Sequence, residues 1–92
     1  MAQETKIIQL EEYYFLSSVK KVEVIFQKSG TLPIKGTFKF GKGTMDYQSE
    51  TPIGYSQKVN FTLQLNIGKV TANGRGYFDT RTKRLTKWLE FK

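Results

Sequence analysis

Polar and apolar side chains alternate most regularly between positions 55 and 66. One side of this segment carries Tyr55, Gln57, Val59, Phe61, Leu63 and Leu65. The other side carries Ser56, Lys58, Asn60, Thr62, Gln64 and Asn66. Successive side chains of a strand point to opposite faces, so the pattern predicts a long strand with one dry and one wet face.

The alternation continues beyond a predicted turn at 66–69. In "VTANGRGYFD" the apolar side carries Val70, Ala72, Gly74, Gly76 and Phe78. A second predicted turn, "TRTK", leads into "RLTKWLEFK". Two turns between three alternating segments predict a three-stranded antiparallel meander over 55–91.

A shorter alternating stretch, "IKGTFKFGKG", occupies 34–43. It places Phe38 and Phe40 on one side of a predicted strand and Lys35 and Lys39 on the other. A platform for single-stranded nucleic acid needs rings and cations on the same surface, so we expect these two phenylalanines to belong to the core. The following segment, 44–54, is predicted to be a loop because Pro52 disfavours a central strand.

The N-terminal third has no clear period. "TKIIQLEEYYFLSSV" fits either a strand or a short helix, and "KVEVIFQ" favours a strand with Val22, Val24 and Phe26 on one side. The sequence therefore predicts a mainly β protein forming one small domain over residues 1–92. We expect an antiparallel meander or a β-barrel of about five or six strands, with or without one short N-terminal helix.

Pairing the predicted strands defines a candidate surface. Pairing Leu65 with Val70 sets the first hairpin, and pairing Asp79 with Arg84 sets the second. Across the wet face the registers give two rows. These are Lys58, Tyr77 and Thr86, then Asn60, Arg75 and Trp88. Lys87 falls on the apolar side, where it fits poorly.

Trp88 has two interpretations. On the wet face it would lie opposite Arg75, close enough for a cation–π contact. Alternatively, it is buried under the N-terminal segment, whose Tyr13, Tyr14 and Phe15 also need a packing surface. The sequence leaves both open.

Composition removes most catalytic chemistry. The chain has no cysteine and no histidine, which excludes thiol and imidazole catalysis and most zinc and haem sites. Its eight carboxylates form no recognisable catalytic or metal motif, and the adjacent Glu11 and Glu12 are not positioned as a pair. We expect no enzyme activity, no cofactor and no metal.

The positive charge is concentrated in the C-terminal third. Residues 58–92 hold eight Lys and Arg against two acids, whereas residues 1–57 hold seven against six. Such a one-sided field favours an anionic partner, either nucleic acid or an acidic protein surface. A charge that only keeps a small sheet protein soluble is the alternative.

Three functions agree with these patterns. The first is a binding module for nucleic acid, single-stranded in the simplest case, and it is favoured because the basic residues share a segment with wet-side aromatics. Its candidate residues are Lys58, Asn60, Arg75, Tyr77, Arg81, Lys83, Arg84 and Trp88. The second is a protein-interaction or assembly component, as of a phage or mobile element, that pairs by strand edges or sheet packing. The third is a barrel around a small apolar ligand, lined by Phe38, Phe40, Phe61 and Phe78.

No apolar run is long enough to span a membrane, and the N-terminus lacks a signal-peptide pattern. We therefore expect a cytoplasmic protein, and a mature secreted domain remains an alternative.

Overall fold

One long helix is followed by five antiparallel strands. The computed structural model describes residues 2–67 and 70–91, and the side chains from Ile7 onward. The elements are α1 (Ala2–Ser29), β1 (Lys35–Phe40), β2 (Gly43–Ser49), β3 (Ser56–Leu65), β4 (Thr71–Asp79) and β5 (Arg84–Phe91). The strands lie in chain order in one sheet, with β1 and β5 at its edges. The predicted fold class is confirmed in its meander form, as an open sheet with an N-terminal helix.

Helix α1 is far longer than the short helix expected, and the strand predicted at 21–27 is wrong because these residues form its last turns. Phe15, Val19, Val22 and Phe26 are buried and recur every three or four positions, so they form one stripe along the helix. The helix ends at Ser29, and the following residue, Gly30, has a φ of 82° and donates its backbone N–H to the carbonyl of Phe26. A glycine at that position adopts the left-handed conformation at little cost.

The second strand occupies part of the predicted loop at 44–54. In β2, Met45 is fully buried, and Tyr47 stacks on Phe38 with their ring centroids 4.6 Å apart. Asp46 and Gln48 point the other way and are exposed. Pro52 lies in the connection after β2. The prediction of a loop was therefore wrong for residues 44–49, which form most of β2.

The register between β3 and β4 is the predicted one. Phe61 pairs with Gly74 and Val59 with Gly76, so large side chains cover glycine backbone. In the predicted turn at 66–69, Gly68 and Lys69 lie outside the described residues.

The register between β4 and β5 is correct only at its start. Asp79 pairs with Arg84 and Phe78 with Leu85, but an irregularity at Tyr77/Phe78 then shifts the pairing by one residue. Such a bulge reverses the face to which every later side chain of the strand points.

The core lies between α1 and one face of the sheet, which we call the inner face. Phe61, Phe78, Leu63 and Met45 of this face are almost fully buried. The stripe of α1 packs on them, and the rings of Phe26 and Phe78 meet edge to face. We call the opposite side of the sheet the outer face.

At the β1 edge, Tyr14 of α1 stacks on Phe40, with 4.2 Å between ring centroids. Phe38 and Phe40 are half-buried against the core, as predicted, whereas Lys35 and Lys39 are exposed.

Candidate binding surfaces

Four of the predicted site residues share the outer face of β3 and β4. Lys58 pairs with Tyr77 and Asn60 with Arg75, as the alternating pattern predicted. Arg75 donates from Nε to the Asn60 side-chain oxygen at 3.0 Å, and Asn60 donates to the Glu50 carboxylate at 2.7 Å. These bonds hold the Arg75 side chain along the sheet.

Trp88 does not belong to this surface. Because of the bulge it lies opposite Gly76, not Arg75, and points to the inner face. Its ring meets Phe15 of α1 at 5.3 Å and Phe61 at 5.6 Å between centroids. The expected pairing of Trp88 with Arg75 is therefore wrong, and packing under the N-terminal segment is the arrangement found.

Lys87 occupies the position beside Tyr77 that the predicted register assigned to Thr86. It pairs with Tyr77 on the outer face, and its Nζ lies 5.7 Å from the centroid of the Tyr77 ring. The bulge also removes Thr86 from the predicted row, and its hydroxyl donates to the Tyr77 carbonyl at 3.1 Å. The poor fit of Lys87 in the sequence was thus the signal of the bulge.

Tyr77 lies among cations. The hydrogen bond from Arg75 is the main cause that lowers the pKa of its hydroxyl, and the charges of Lys58 and Lys87 act in the same direction. Among the side chains of residues 7–67 and 70–91, none forms a salt bridge with Lys58, Arg75 or Lys87. This row, which we call the basic row, is chemically suited to an anionic group.

The remaining predicted residues lie at the turn between β4 and β5. Arg81 forms a salt bridge with Asp79 at 3.1 Å and covers the ring of Tyr55 at 4.2 Å. The Arg81 side chain and two backbone N–H groups, of Thr82 and Arg81, lower the pKa of Asp79 to about 2. Arg81 thus has partners within the turn.

Lys83 has a φ of 59°, and its carbonyl accepts a bond from Gln27 of α1 at 3.4 Å. Arg84 is exposed and pairs with Asp79. Arg81, Lys83 and Arg84 therefore lie at the end of the sheet and are separate from the basic row.

Helix α1 has two further surfaces, which the sequence patterns did not reveal. On the β1 side lies a groove of about 350 Å³, lined by Lys20, Lys21, Val24, Ile25 and Phe38. On the β5 side lies a groove of about 140 Å³, lined by Glu12, Phe15, Leu16, Trp88 and Glu90. Apolar positions outside the buried stripe, at Leu16 and Val24, could have indicated them.

Within residues 2–67 and 70–91, no helical segment qualifies as a membrane span, and no group of three or more His, Cys, Asp or Glu residues is placed to hold a metal ion. The family described as "ComGG: ComG operon protein 7" matches residues 1–90 of the chain. No curated protein matches the chain. No solved structure matches it either.

Proposed function

Because this chain belongs to the ComGG family, we propose that it is a structural subunit of a competence pseudopilus that acts by binding neighbouring subunits. The observation that carries the proposal is the extent of the family match, which covers residues 1–90 and therefore α1 and all five strands except the last residue of β5. On this proposal the protein works at the cell surface rather than in the cytoplasm.

The exposed surface of α1 supports a role in assembly. Leu16 and Tyr13 are 67% and 65% exposed, and Ile8 is 44% exposed. Neighbouring exposed apolar side chains on a helix are typical of a surface that another protein covers. These exposed side chains are not required to cover the sheet, since the opposite side of α1 covers its inner face.

The side-chain chemistry supports a role without catalysis. A chain with no histidine and no cysteine lacks the commonest general acid–base group and the thiol nucleophile of enzymes. Several polar groups of the outer face are hydrogen-bonded to one another, as Thr62 is to Asn73 at 3.1 Å. A surface of this kind suits contact with another protein.

The proposal is tested in cells that carry the ComG operon. Pili and pseudopili are sheared from the surface, and the fraction is probed with an antibody to this protein. We expect the protein in that fraction together with other products of the operon, and we expect less pseudopilus after deletion of its gene, restored by the wild-type chain. A protein that stays out of the sheared fraction, with no effect of the deletion, would contradict the proposal.

A second candidate function is the binding of single-stranded nucleic acid, and the basic row favours it. Lys58, Arg75 and Lys87 surround Tyr77, which is the aromatic ring available for stacking on that row. Trp88 faces α1, so electrostatic capture would supply most of the affinity.

Titration of a labelled oligonucleotide at low and physiological salt, followed by fluorescence anisotropy, tests this candidate. We expect binding that weakens with salt and is lost in the triple variant K58A/R75A/K87A. The double variant K35A/K39A, on exposed positions of β1, is the matched control and should bind normally. Equal loss in both variants, or no binding at low salt, would exclude the basic row as a nucleic-acid site.

A further inference from the structure

The two grooves beside α1 carry opposite charges. We call Glu12, Leu16 and Glu90 the acidic flank, and Lys20, Lys21, Val24 and Ile25 the basic flank. The acidic flank faces the β5 edge, where Trp88 completes its groove, and the basic flank faces the β1 edge, where Phe38 does so. The flanks therefore lie on opposite sides of the same helix.

Each flank combines an apolar centre with charged borders. The groove of the basic flank exposes only apolar surface, and Lys21 lies with its Nζ 5.2 Å from the Phe38 centroid and 4.8 Å from that of Phe40. On the acidic flank, Leu16 projects into solvent one helical turn after Glu12. An apolar groove bordered by lysines can accept a projecting leucine that has a carboxylate beside it, because the shapes and the charges are complementary.

The positions of the flanks determine the kind of contact. Their centres are about eight residues apart along α1, which corresponds to roughly 12 Å along the helix axis. Because the two grooves face opposite edges of the sheet, the acidic flank of one copy can meet the basic flank of another while the remaining flank of each copy stays open. A contact between them is heterologous, and every copy added leaves one flank of each kind open for the next.

We propose that a second copy of this chain binds with its acidic flank on the basic flank of the first, and that this contact repeats with an axial displacement. Leu16 of one copy enters the groove formed by Val24, Ile25 and Phe38 of the next. Glu12 then lies against Lys20 and Lys21. The inference rests on the proposed function, because it names the partner and the surface through which such a subunit assembles.

Disulfide trapping tests the contact directly, since the natural chain has no cysteine. We expect purified L16C and V24C to form a mixed disulfide dimer when combined under mild oxidation, while neither forms a dimer alone. The double variant L16C/V24C should give a ladder of dimers, trimers and larger species. A combination of L16C with T71C, an exposed position on β4, is the control and should remain monomeric.

A closed dimer in place of the ladder, or dimers from L16C alone, would overturn the heterologous contact. Absence of any mixed dimer beyond the control, at the highest protein concentration tested, would overturn the proposal as a whole.

Charge reversal provides an independent test by sedimentation equilibrium. The variant E12K/E90K keeps the natural basic flank, and K20E/K21E keeps the natural acidic flank. We expect the average mass of the wild-type protein to rise with concentration, each variant alone to remain monomeric, and an equal mixture of the two to associate again. Far-ultraviolet circular dichroism verifies that both variants are folded.

If the two variants associate alone as the wild type does, the flanks are not the contact. This failure is distinguishable from failure of the proposed function. A protein that enters the sheared pseudopilus fraction but shows neither mixed disulfides nor restored association binds a different subunit, and only the second-copy contact is then excluded.

Discussion

The two faces of the sheet are built from the same strands and have opposite roles. On the inner face, Phe61, Phe78 and Met45 are buried beneath α1. On the outer face, polar side chains bond across strands, as Thr37 does to Asp46 at 2.6 Å. The buried contacts of the inner face therefore stabilise the fold, whereas the outer face can carry charged side chains. Substitutions of matched residues on the two faces should therefore have very different effects.

The largest expected effect is that of Phe61→Ala. Phe61 is 1% exposed and contacts Trp88 and Tyr47, so its removal leaves a cavity that costs about 3–5 kcal/mol of unfolding free energy. Phe91→Ala is the matched control, because Phe91 is 41% exposed and lies under Arg75 at 5.2 Å. We expect it to cost below about 1 kcal/mol. Urea denaturation measures both, and equal costs would contradict the division between the faces.

Gly74→Ala tests the packing between α1 and the sheet. A methyl group at this position would collide with the ring of Trp88 and approach Phe15. We expect a loss of about 1–3 kcal/mol and a shift of the Trp88 emission, because the ring must move. Gly41→Ala, where a methyl group meets no atom within 4 Å, is the control. An unchanged emission spectrum in Gly74→Ala would show that Trp88 does not cover this glycine.

A smaller effect is expected from the hydrogen bond that joins α1 to β5. The Glu23 carboxylate accepts the backbone N–H of Leu85 at 2.9 Å, close to the bulge. Glu23→Ala should cost about 1.5 kcal/mol, because it leaves that N–H without its acceptor. Glu23→Gln keeps an acceptor oxygen, so it should be the milder change. Denaturant midpoints compare the two, and an unchanged midpoint in Glu23→Ala would mean that the bond contributes little.

The smallest effect concerns the acid stability contributed by the turn between β4 and β5. The pKa of Asp79 is lowered to about 2 in the folded protein, chiefly by the Arg81 side chain, so its stabilising contribution is complete above its ordinary value near 4. That contribution is lost as the pH falls from about 4 to 2. We expect Asp79→Asn to show a smaller decline of the urea midpoint over this range than the wild type. An identical decline in both would assign acid sensitivity to other carboxylates.

The sequence was sufficient for the part of the fold where one period dominates. The alternation from Val59 to Leu65 correctly identified the buried face of β3 and its register with β4, because only one pairing buries every apolar residue. The same reasoning failed in β5, since a one-residue bulge reverses the faces without changing the composition. The position of Lys87 was the local conflict that marked it.

The helix was missed for a different physical reason. Its buried stripe from Phe15 to Phe26 is regular, but Tyr13, Leu16 and Val24 add apolar residues on the opposite side and obscure the period. Leu16 and Val24 also belong to the flanks through which we propose that copies assemble. The candidate basic row was largely predictable, because Lys58, Arg75 and Tyr77 lie in the regular strands. The flanks were not, because they require the helix.

The strand order β1 to β5 also determines how the chain can fold. Every pairing within the sheet joins sequence neighbours, so hairpins close short loops and can form early. Docking of α1 is the exception, since Phe15 meets Trp88 from nearly the other end of the chain. The sole tryptophan therefore reports the least local step, and we expect its fluorescence in a refolding experiment to follow α1 closing onto an assembled sheet.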